Sequence, residues 1–307
     1  MVPRGGRGAG NGTRHGCEVE RSHNLAVPKS SIYPPRHGGP VEWKIGCVGY
    51  SYPEWVGPFY PRHASQEEFL QTYGKVFDLV EIDSSFYRIP TPEMAREWKG
   101  LVPDGFSFTA KFPKIVTHEK EFRRAKEPLD RFLRAMAELR PKAKVLLVQL
   151  APSYTMIRGE EELFDFLRSL PPDFRYAVEF RHGSWFNETV FDELRELGVA
   201  MAWSEVQYTE PPPVATTDFV YLRFIGDRSL KKLGWVQIDR TPEMKKWLAH
   251  LRSVEDKVER AYVFFNNHFA GFGPACVDVF RGMAGLPPVD FKAIHAPGQG
   301  QKRLADF

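Results

Sequence analysis

The sequence has few cysteines, no long apolar run and little net charge. Its three cysteines, Cys17, Cys47 and Cys276, show neither disulfide density nor metal-ligand spacing over 307 residues, so we expect reduced thiols. No segment approaches the roughly 18 consecutive apolar residues of a membrane-spanning helix. The N-terminal segment lacks the apolar core of a secretory signal. Together these absences favour a cytoplasmic protein without a disulfide framework.

The net charge of +3 is unevenly distributed along the chain. Residues 1–40 contain six basic and two acidic residues, a net charge of +4, so the rest of the chain sums to −1. Binding to DNA would therefore depend on a local groove or on this basic arm. The arm is rich in Gly, Pro, Ser and Arg and has no apolar period, which predicts disorder.

Eight short apolar runs between residues 44 and 266 predict β-strands. They lie near residues 44–48, 78–82, 106–111, 144–149, 175–180, 199–203, 218–224 and 260–266. Each is a continuous apolar run, as expected of a strand that is buried on both faces of a parallel sheet. Helical patterns lie between most of these runs. Two of them begin at clear start signals, the capping-box spacing at Ser65 and the Thr91-Pro-Glu-Met segment.

This alternation predicts the fold class. Eight strands with intervening helices over residues 41–287 are typical of a single (β/α)8 barrel of the TIM type, an α/β fold. We expect the barrel to lie between the disordered arm, residues 1–40, and a flexible tail, residues 288–307. A doubly wound open sheet is the alternative, but the sequence contains neither common glycine-rich phosphate loop.

Polar side chains stand at the carboxyl ends of most of the predicted strands. These residues are Glu81, Lys111, Gln149, Glu179, Arg181, His182, Arg223, Asn266 and Asn267. Burying a charged side chain is costly unless it is paired. Because the carboxyl ends of all strands in a parallel barrel meet at one mouth, we expect these residues to line a single polar pocket.

Seven motifs, in order, resemble the YecE-like family, domain of unknown function seventy-two. They are Ile45-Gly-Cys-Val-Gly-Tyr-Ser-Tyr-Pro-Glu-Trp, Val80-Glu-Ile-Asp-Ser-Ser-Phe-Tyr-Arg-Ile-Pro, Phe108-Thr-Ala-Lys, Val148-Gln-Leu-Ala-Pro-Ser, Ala177-Val-Glu-Phe-Arg-His-Gly-Ser-Trp, Phe219-Val-Tyr-Leu-Arg and Val263-Phe-Phe-Asn-Asn. The resemblance covers residues 43–285 and implies a TIM-barrel-like fold without implying an activity. By the same resemblance, Glu205 matches an acidic residue of the sixth-strand motif. His268 and Phe269 depart from the small or acidic residue that usually follows the two asparagines.

The charged residues of the predicted pocket allow several chemistries. Glu81 and Glu179 can act as acid and base or hold a metal, or they can simply form ion pairs with the pocket's cations. Lys111 can form an imine as a nucleophile of lowered pKa, or bind a phosphate or carboxylate as a point charge. Arg181 and Arg223 suit bidentate anion binding, with ion pairing to the glutamates as the alternative.

Histidines extend the list of candidate acid–base and metal groups. His182 is a general acid–base candidate by its ordinary pKa, or else a structural hydrogen-bonding residue, and His118 follows the third strand. Glu205 and His268 can join His182 and the two glutamates as ligands of a divalent metal. No tight ligand spacing supports a metal, so the cofactor stays unassigned.

Aromatic side chains cluster in the loops that follow the same strands. Tyr50, Trp55, Phe86 and Trp185 can stack on a sugar ring or on a nucleobase that has been flipped out of its helix. Alternatively, they fill the top of the barrel as part of its core.

The last seven residues resemble the peptide with which replication and repair proteins bind the sliding clamp, proliferating cell nuclear antigen. Gln301, Leu304 and Phe307 match its fixed positions, behind a Pro- and Gly-containing linker. The pattern has one aromatic residue where such peptides usually carry two.

The leading functional hypothesis is a hydrolase acting on a phosphate- or sugar-bearing substrate at the barrel mouth. If the tail binds the clamp, that substrate is DNA, and the protein is a repair nuclease or glycosylase. The first alternative is a small-molecule enzyme acting on a sugar or sugar phosphate through an imine at Lys111. The second is a non-catalytic module that associates with the clamp.

Overall fold

The computed structural model describes residues 40–226 and 229–291 of the chain. The predicted arm lies outside these ranges except for Pro40, and the predicted tail except for residues 288–291. The candidate clamp-binding peptide, residues 301–307, is therefore outside the described residues.

Nine parallel strands form one sheet in the described part of the chain. They are β1 (Glu42–Val48), β2 (Leu79–Ile82), β3 (Ser107–Lys111), β4 (Ala143–Gln149), β5 (Arg175–Glu179), β6 (Val199–Met201), β7 (Trp203–Glu205), β8 (Phe219–Phe224) and β9 (Arg260–Phe265). Their order is β6-β5-β4-β3-β2-β1-β9-β8-β7, and every pairing is parallel. Except for β6 and β7, strands that are consecutive in sequence lie side by side, and the first strand pairs with the last, as in a TIM barrel.

The two ends of this sheet are consecutive pieces of one chain segment. Only Ala202 separates β6, which pairs with β5, from β7, which pairs with β8. The Ala202 amide still donates to the Val178 carbonyl oxygen at 2.8 Å, so the bend occurs without leaving the barrel wall. The strand predicted at residues 199–203 is therefore divided between β6 and β7, which form the two edges of the sheet. Because these edges are joined through Ala202, the sheet is a nearly closed barrel. The predicted TIM-barrel-like fold is confirmed.

Eight α-helices pack around the strands in the described ranges. They are α1 (Phe69–Tyr73), α2 (Pro92–Leu101), α3 (Lys126–Glu138), α4 (Met156–Ser169), α5 (Glu188–Leu197), α6 (Thr241–Arg252), α7 (Asn267–Ala270) and α8 (Gly273–Ala284). Helix α5 shows the local causes of their ends, because the Asn187 side chain accepts from the Val190 amide and Gly198 closes the helix with φ of 63°. None of these helices is both long and apolar enough to cross a membrane.

The barrel interior changes from apolar to polar toward the carboxyl ends of the strands. Its apolar part consists of Val48, Leu79, Val145, Leu147, Ala177, Ala200, Ala202, Phe219, Tyr221, Tyr262 and Phe264. The Thr109 and Tyr221 hydroxyls lie 2.9 Å apart although β3 and β8 are not neighbours, so both side chains point inward. Side chains alternate along a strand, so Lys111 and Arg223, two residues further on, also point inward and lie nearer the mouth.

Candidate functional site

Arg223 is the centre of the polar layer at the barrel mouth. Its Nε donates to Glu81 Oε2 at 2.9 Å and its Nη2 to Glu81 Oε1 at 2.6 Å, which is a bidentate pair. Its Nη1 donates to Glu179 Oε2. Both carboxylates are completely buried and Arg223 is 2% exposed. Strand β8 is thereby tied across the interior to both β2 and β5.

Glu81 receives a further donor from within the barrel. The Tyr221 hydroxyl donates to Glu81 Oε2 at 2.7 Å and, in turn, accepts from the Thr109 hydroxyl at 2.9 Å. Burial and the neighbouring Glu81 charge raise the pKa of Tyr221, so the phenol stays protonated and remains a donor. Both oxygens of Glu81 are therefore occupied by protein groups.

Arg181 completes the network on the other side of Glu179. Its Nη2 pairs with Glu179 Oε1 and lies 3.2 Å from Gln149 Oε1, and its Nη1 donates to the Tyr208 hydroxyl at 2.9 Å. Burial would raise the pKa of Glu179, but Arg181 and Arg223 more than offset that effect and lower it. Glu179 is therefore ionised at neutral pH, and the charges of the two arginines balance those of the two glutamates.

Lys111, the last residue of β3, stands apart from this network. Its ammonium nitrogen lies 3.9 Å from the centroid of the Phe86 ring, and no carboxylate oxygen of the described residues lies within 4.0 Å of it. Burial lowers the pKa of Lys111 to about 8, with a further contribution from Arg223, while Glu179 and Glu81 oppose the shift. Lys111 is thus a partly buried amine that is easily deprotonated.

His118 and Asp83 accompany Lys111 at the mouth. His118 lies in a π-helical turn, Ile115–Glu119, and its ring packs edge-on against Phe86 with centroids 4.9 Å apart. Burial and the Lys111 charge lower the pKa of His118 to about 4, so the imidazole is neutral. Asp83 directly follows β2, and burial together with the Glu81 charge raises its pKa. The prediction of pocket residues missed Asp83, although it lies two positions after Glu81 and so faces the same way.

The remaining polar candidates make local hydrogen bonds. The exposed His182 caps a short turn, accepting from the Ser184 amide at 3.1 Å through Nδ1. Glu205 accepts from the indole N–H of Trp247. Asn266 caps α7 by accepting from the His268 amide at 2.9 Å. These contacts favour the structural interpretation of His182 and give Glu205 and Asn266 a role in fixing loops.

The tryptophans proposed for stacking lie in the core. Trp55 and Trp185 are both completely buried, and the indole N–H of Trp55 donates to Asn267 Oδ1 at 3.1 Å. That of Trp185 donates to the Tyr154 carbonyl oxygen at 2.8 Å. Neither indole has exposed surface, so in this structure both tryptophans belong to the core.

The other aromatic candidates differ in their access to the mouth. Phe86 is buried beneath Lys111, and Tyr50 is partly buried, with its pKa raised to about 12 by burial and Glu97. The exposed aromatic side chains in the loops after the strands are instead Tyr87, Tyr208 and Trp235. Tyr208 is the one that touches the ion network directly, through Arg181.

The predicted metal ligands are not assembled into a site in the described part of the chain. No group of three or more His, Cys, Asp or Glu side chains there is arranged to hold a metal ion. The oxygens of Glu81 and Glu179 are instead occupied by guanidinium groups.

Comparison with known proteins identifies relatives along most of the chain. The model of the family described as "protein of unknown function DUF72" matches residues 44–300. The UPF0759 protein YecE of Escherichia coli K12 is 32% identical over 142 residues, which is 46% of this chain and 49% of that protein. The chain thus matches about half the length of this relative. The UPF0759 protein YunF of Bacillus subtilis 168 is 24% identical, over 74% of this chain and 89% of its own.

Solved structures of related proteins share the barrel. A DUF72 family protein from Thermotoga maritima is 27% identical, with a TM-score of 0.66 over 80% of this chain and 99% of its own. A DUF72 family protein from Enterococcus faecalis is 21% identical, with a TM-score of 0.65 over 80% of this chain and 96% of its own. At 21% identity, the similarity to the Enterococcus faecalis protein shows a shared fold alone.

Proposed function

The chain belongs to the DUF72 family, and from the geometry of its barrel mouth we propose an enzyme that acts on a small sugar or sugar phosphate. Lys111 is the reacting group, and it attacks the substrate's carbonyl carbon to form an imine. One observation carries the proposal: Lys111 is a partly buried mouth cation without a carboxylate partner in the described chain.

The lowered pKa of Lys111 supports the nucleophilic role. At a pKa of about 8, about a tenth of the amine is neutral at pH 7. At the ordinary value of 10.5 the neutral fraction would be about 300-fold smaller. Barrel enzymes place their reacting groups at the carboxyl ends of the strands, which is where Lys111 stands.

The state of the glutamates argues against giving them the acid–base role of the hydrolase hypothesis. Glu81 and Glu179 are completely buried, and each binds Arg223 directly. A general acid must carry a proton near neutral pH, whereas the pKa of Glu179 is lowered by its arginines despite the opposing effect of burial. Hydrolysis of a phosphate- or sugar-bearing substrate, including a DNA-repair nuclease or glycosylase reaction, stays a secondary hypothesis.

Reductive trapping tests the proposal. Glycolaldehyde phosphate and borohydride should modify Lys111 in preference to Lys126, whose side chain is 85% exposed and serves as an internal control for surface amines. The Lys111→Arg variant keeps the positive charge but should lose the adduct and the activity. Peptide mapping that finds no more label on Lys111 than on Lys126 would overturn the imine mechanism.

We also propose the sliding clamp as a partner, on the sequence of residues 301–307. Gln301, Leu304 and Phe307 match the fixed positions of clamp-binding peptides, and these residues lie outside the described ranges. If the clamp binds, the sugar carbonyl acted on by Lys111 belongs to DNA. The same trapping experiment with an oligonucleotide that contains an abasic site compares this substrate with the free sugar phosphate.

A further inference from the structure

Asp83 is a carboxyl group at the barrel mouth that the ion network does not use. In the register of β2 and β3, Glu81 lies opposite Thr109 and Ile82 opposite Ala110, and Asp83 and Lys111 are the residues that follow these pairs. Glu81 and Thr109 both reach into the interior. Alternation of side chains therefore directs Asp83 and Lys111 toward the same space, one level nearer the opening.

The backbone of Gly49 makes room for the Asp83 side chain. Gly49 has φ of +75°, and a Cβ there would lie 3.1 Å from Asp83 Oδ1, so the absence of a side chain makes room for the carboxyl group. No cationic nitrogen of the described residues lies within 4.0 Å of its oxygens. The charge of Lys111 acts on Asp83, yet the two side chains form no ion pair with each other.

We propose that Asp83 is the acid–base partner of Lys111, contacting the substrate and transferring protons during imine formation. This inference rests on the proposed function of Lys111. It assigns a catalytic role to a residue whose sequence position gave no signal beyond its spacing from Glu81.

Lys111 and Asp83 act together in the formation of the imine. Neutral Lys111 Nζ bonds to the carbonyl carbon, and the carbonyl electron pair moves to oxygen. The Asp83 carboxylate takes a proton from the new ammonium nitrogen while the oxygen acquires one from a water molecule, which is left as hydroxide and passes to solvent. Protonated Asp83 then returns its proton to the carbinol oxygen, the C–O bond breaks, water leaves, and the nitrogen lone pair forms the C=N bond of the iminium ion.

Asp83 suits this role better than the other acids of the mouth. Glu81 and Glu179 are held by Arg223, whereas Asp83 makes no such pair. The groups that face Asp83 are Glu81, Lys111, Arg223 and the Tyr52 hydroxyl. Burial and Glu81 raise its pKa more than Lys111 and Arg223 lower it, so the carboxyl group holds a proton more readily than an ordinary aspartate.

The test measures the rate of borohydride trapping of glycolaldehyde phosphate on Lys111 as a function of pH. Asp83→Asn should slow trapping about a hundredfold, since general acid–base groups contribute on that order, and should leave only the inflection near pH 8 that Lys111 itself gives. Asp83→Glu should restore part of the rate. The matched control is Asp256→Asn, an exposed aspartate before β9 at the opposite end of the barrel, which should behave as the unmodified protein.

The outcomes separate this inference from the proposed function. If the unmodified protein traps on Lys111 and Asp83→Asn traps at the same rate with the same pH profile, the role of Asp83 is overturned and that of Lys111 stands. If the unmodified protein does not trap on Lys111, both fall. Thermal melting confirms that each variant is folded. Should Asp83→Asn not fold, Asp83→Ser, which also lacks the carboxyl group, carries the same expectation.

Discussion

The mouth of the barrel contains two sets of charges that differ in how they are satisfied. In the first, Glu81, Glu179, Arg181 and Arg223 are buried and bonded to one another. In the second, Lys111 and the neighbouring Asp83 have no ion pair among the described residues. The pKa of Glu179 is lowered by its arginines against the effect of burial, which keeps it charged, whereas burial moves the pKa values of Lys111 and Asp83 toward neutrality.

We expect the two sets of charges to have separate roles. A charge that is fully paired gives stability and a fixed position, but it cannot exchange protons near neutral pH. A group shifted toward its neutral form can do so, at some cost to the stability of the fold. We therefore expect mutations in the first set to destabilise the fold, and mutations in the second to stop the proposed reaction.

Arg223→Met should give the largest loss of stability. It leaves Glu81 and Glu179 buried without their shared cation, and breaking a buried pair in this way costs about 3–5 kcal/mol. Urea denaturation measures the free energy of unfolding. The matched control, Arg131→Met, removes an exposed arginine paired with Glu127 on α3 and should cause no measurable change. Equal stabilities for the two variants would contradict the supporting role of Arg223.

The same network should make the protein sensitive to acid. Because the folded pKa of Glu179 is lowered, by Arg181 and Arg223 acting against burial, its contribution to stability is complete above the ordinary value of 4.5. That contribution is lost as the pH falls through the lowered value. The unfolding free energy should therefore fall more steeply with acid in the unmodified protein than in Arg223→Met.

Lys111→Met should raise the stability of the fold and abolish the activity. The folded pKa of about 8 lies below the ordinary 10.5, so the charged amine costs stability at neutral pH, and the cost disappears as the pH rises past 10.5. We expect the variant to be more stable at pH 7 by up to about 3 kcal/mol, with the gain shrinking between pH 8 and pH 10.5, and to be inactive. A large loss of stability would instead place Lys111 among the supporting charges.

Much of the fold could be predicted from the sequence because each barrel strand carries its signal locally. The continuous apolar runs marked all eight strand regions, and their polar ends marked the mouth. The break at Ala202 could not be predicted, since it depends on β6 and β7 pairing with different neighbours. The capping of α5 by Asn187 and Gly198 is again a local signal.

The candidate site was less predictable because pairing is a property of three-dimensional distance. Nothing in the sequence shows that Arg223, rather than a substrate, occupies the oxygens of Glu81. An aromatic residue beside a polar mouth looks the same whether exposed or buried, so Trp55 and Trp185 were left undecided. Extending the strand alternation from Glu81 by two positions would have found Asp83.

Removal of the C-terminal peptide should affect the barrel least of all these changes. Binding by this peptide tests whether the proposed chemistry of Lys111 is directed to DNA. A peptide of residues 298–307 should bind a sliding clamp from the same organism with micromolar affinity, roughly −7 to −8 kcal/mol. Leu304 and Phe307 should supply most of this energy, as buried apolar anchors do. Deleting residues 301–307 should abolish clamp binding and leave the unfolding free energy and Lys111 trapping unchanged, because Lys111 and the charged residues described at the mouth all precede this segment. Calorimetry that shows equal binding by the Leu304→Ala, Phe307→Ala double variant would reject the clamp, and the free sugar phosphate would then be the better supported substrate.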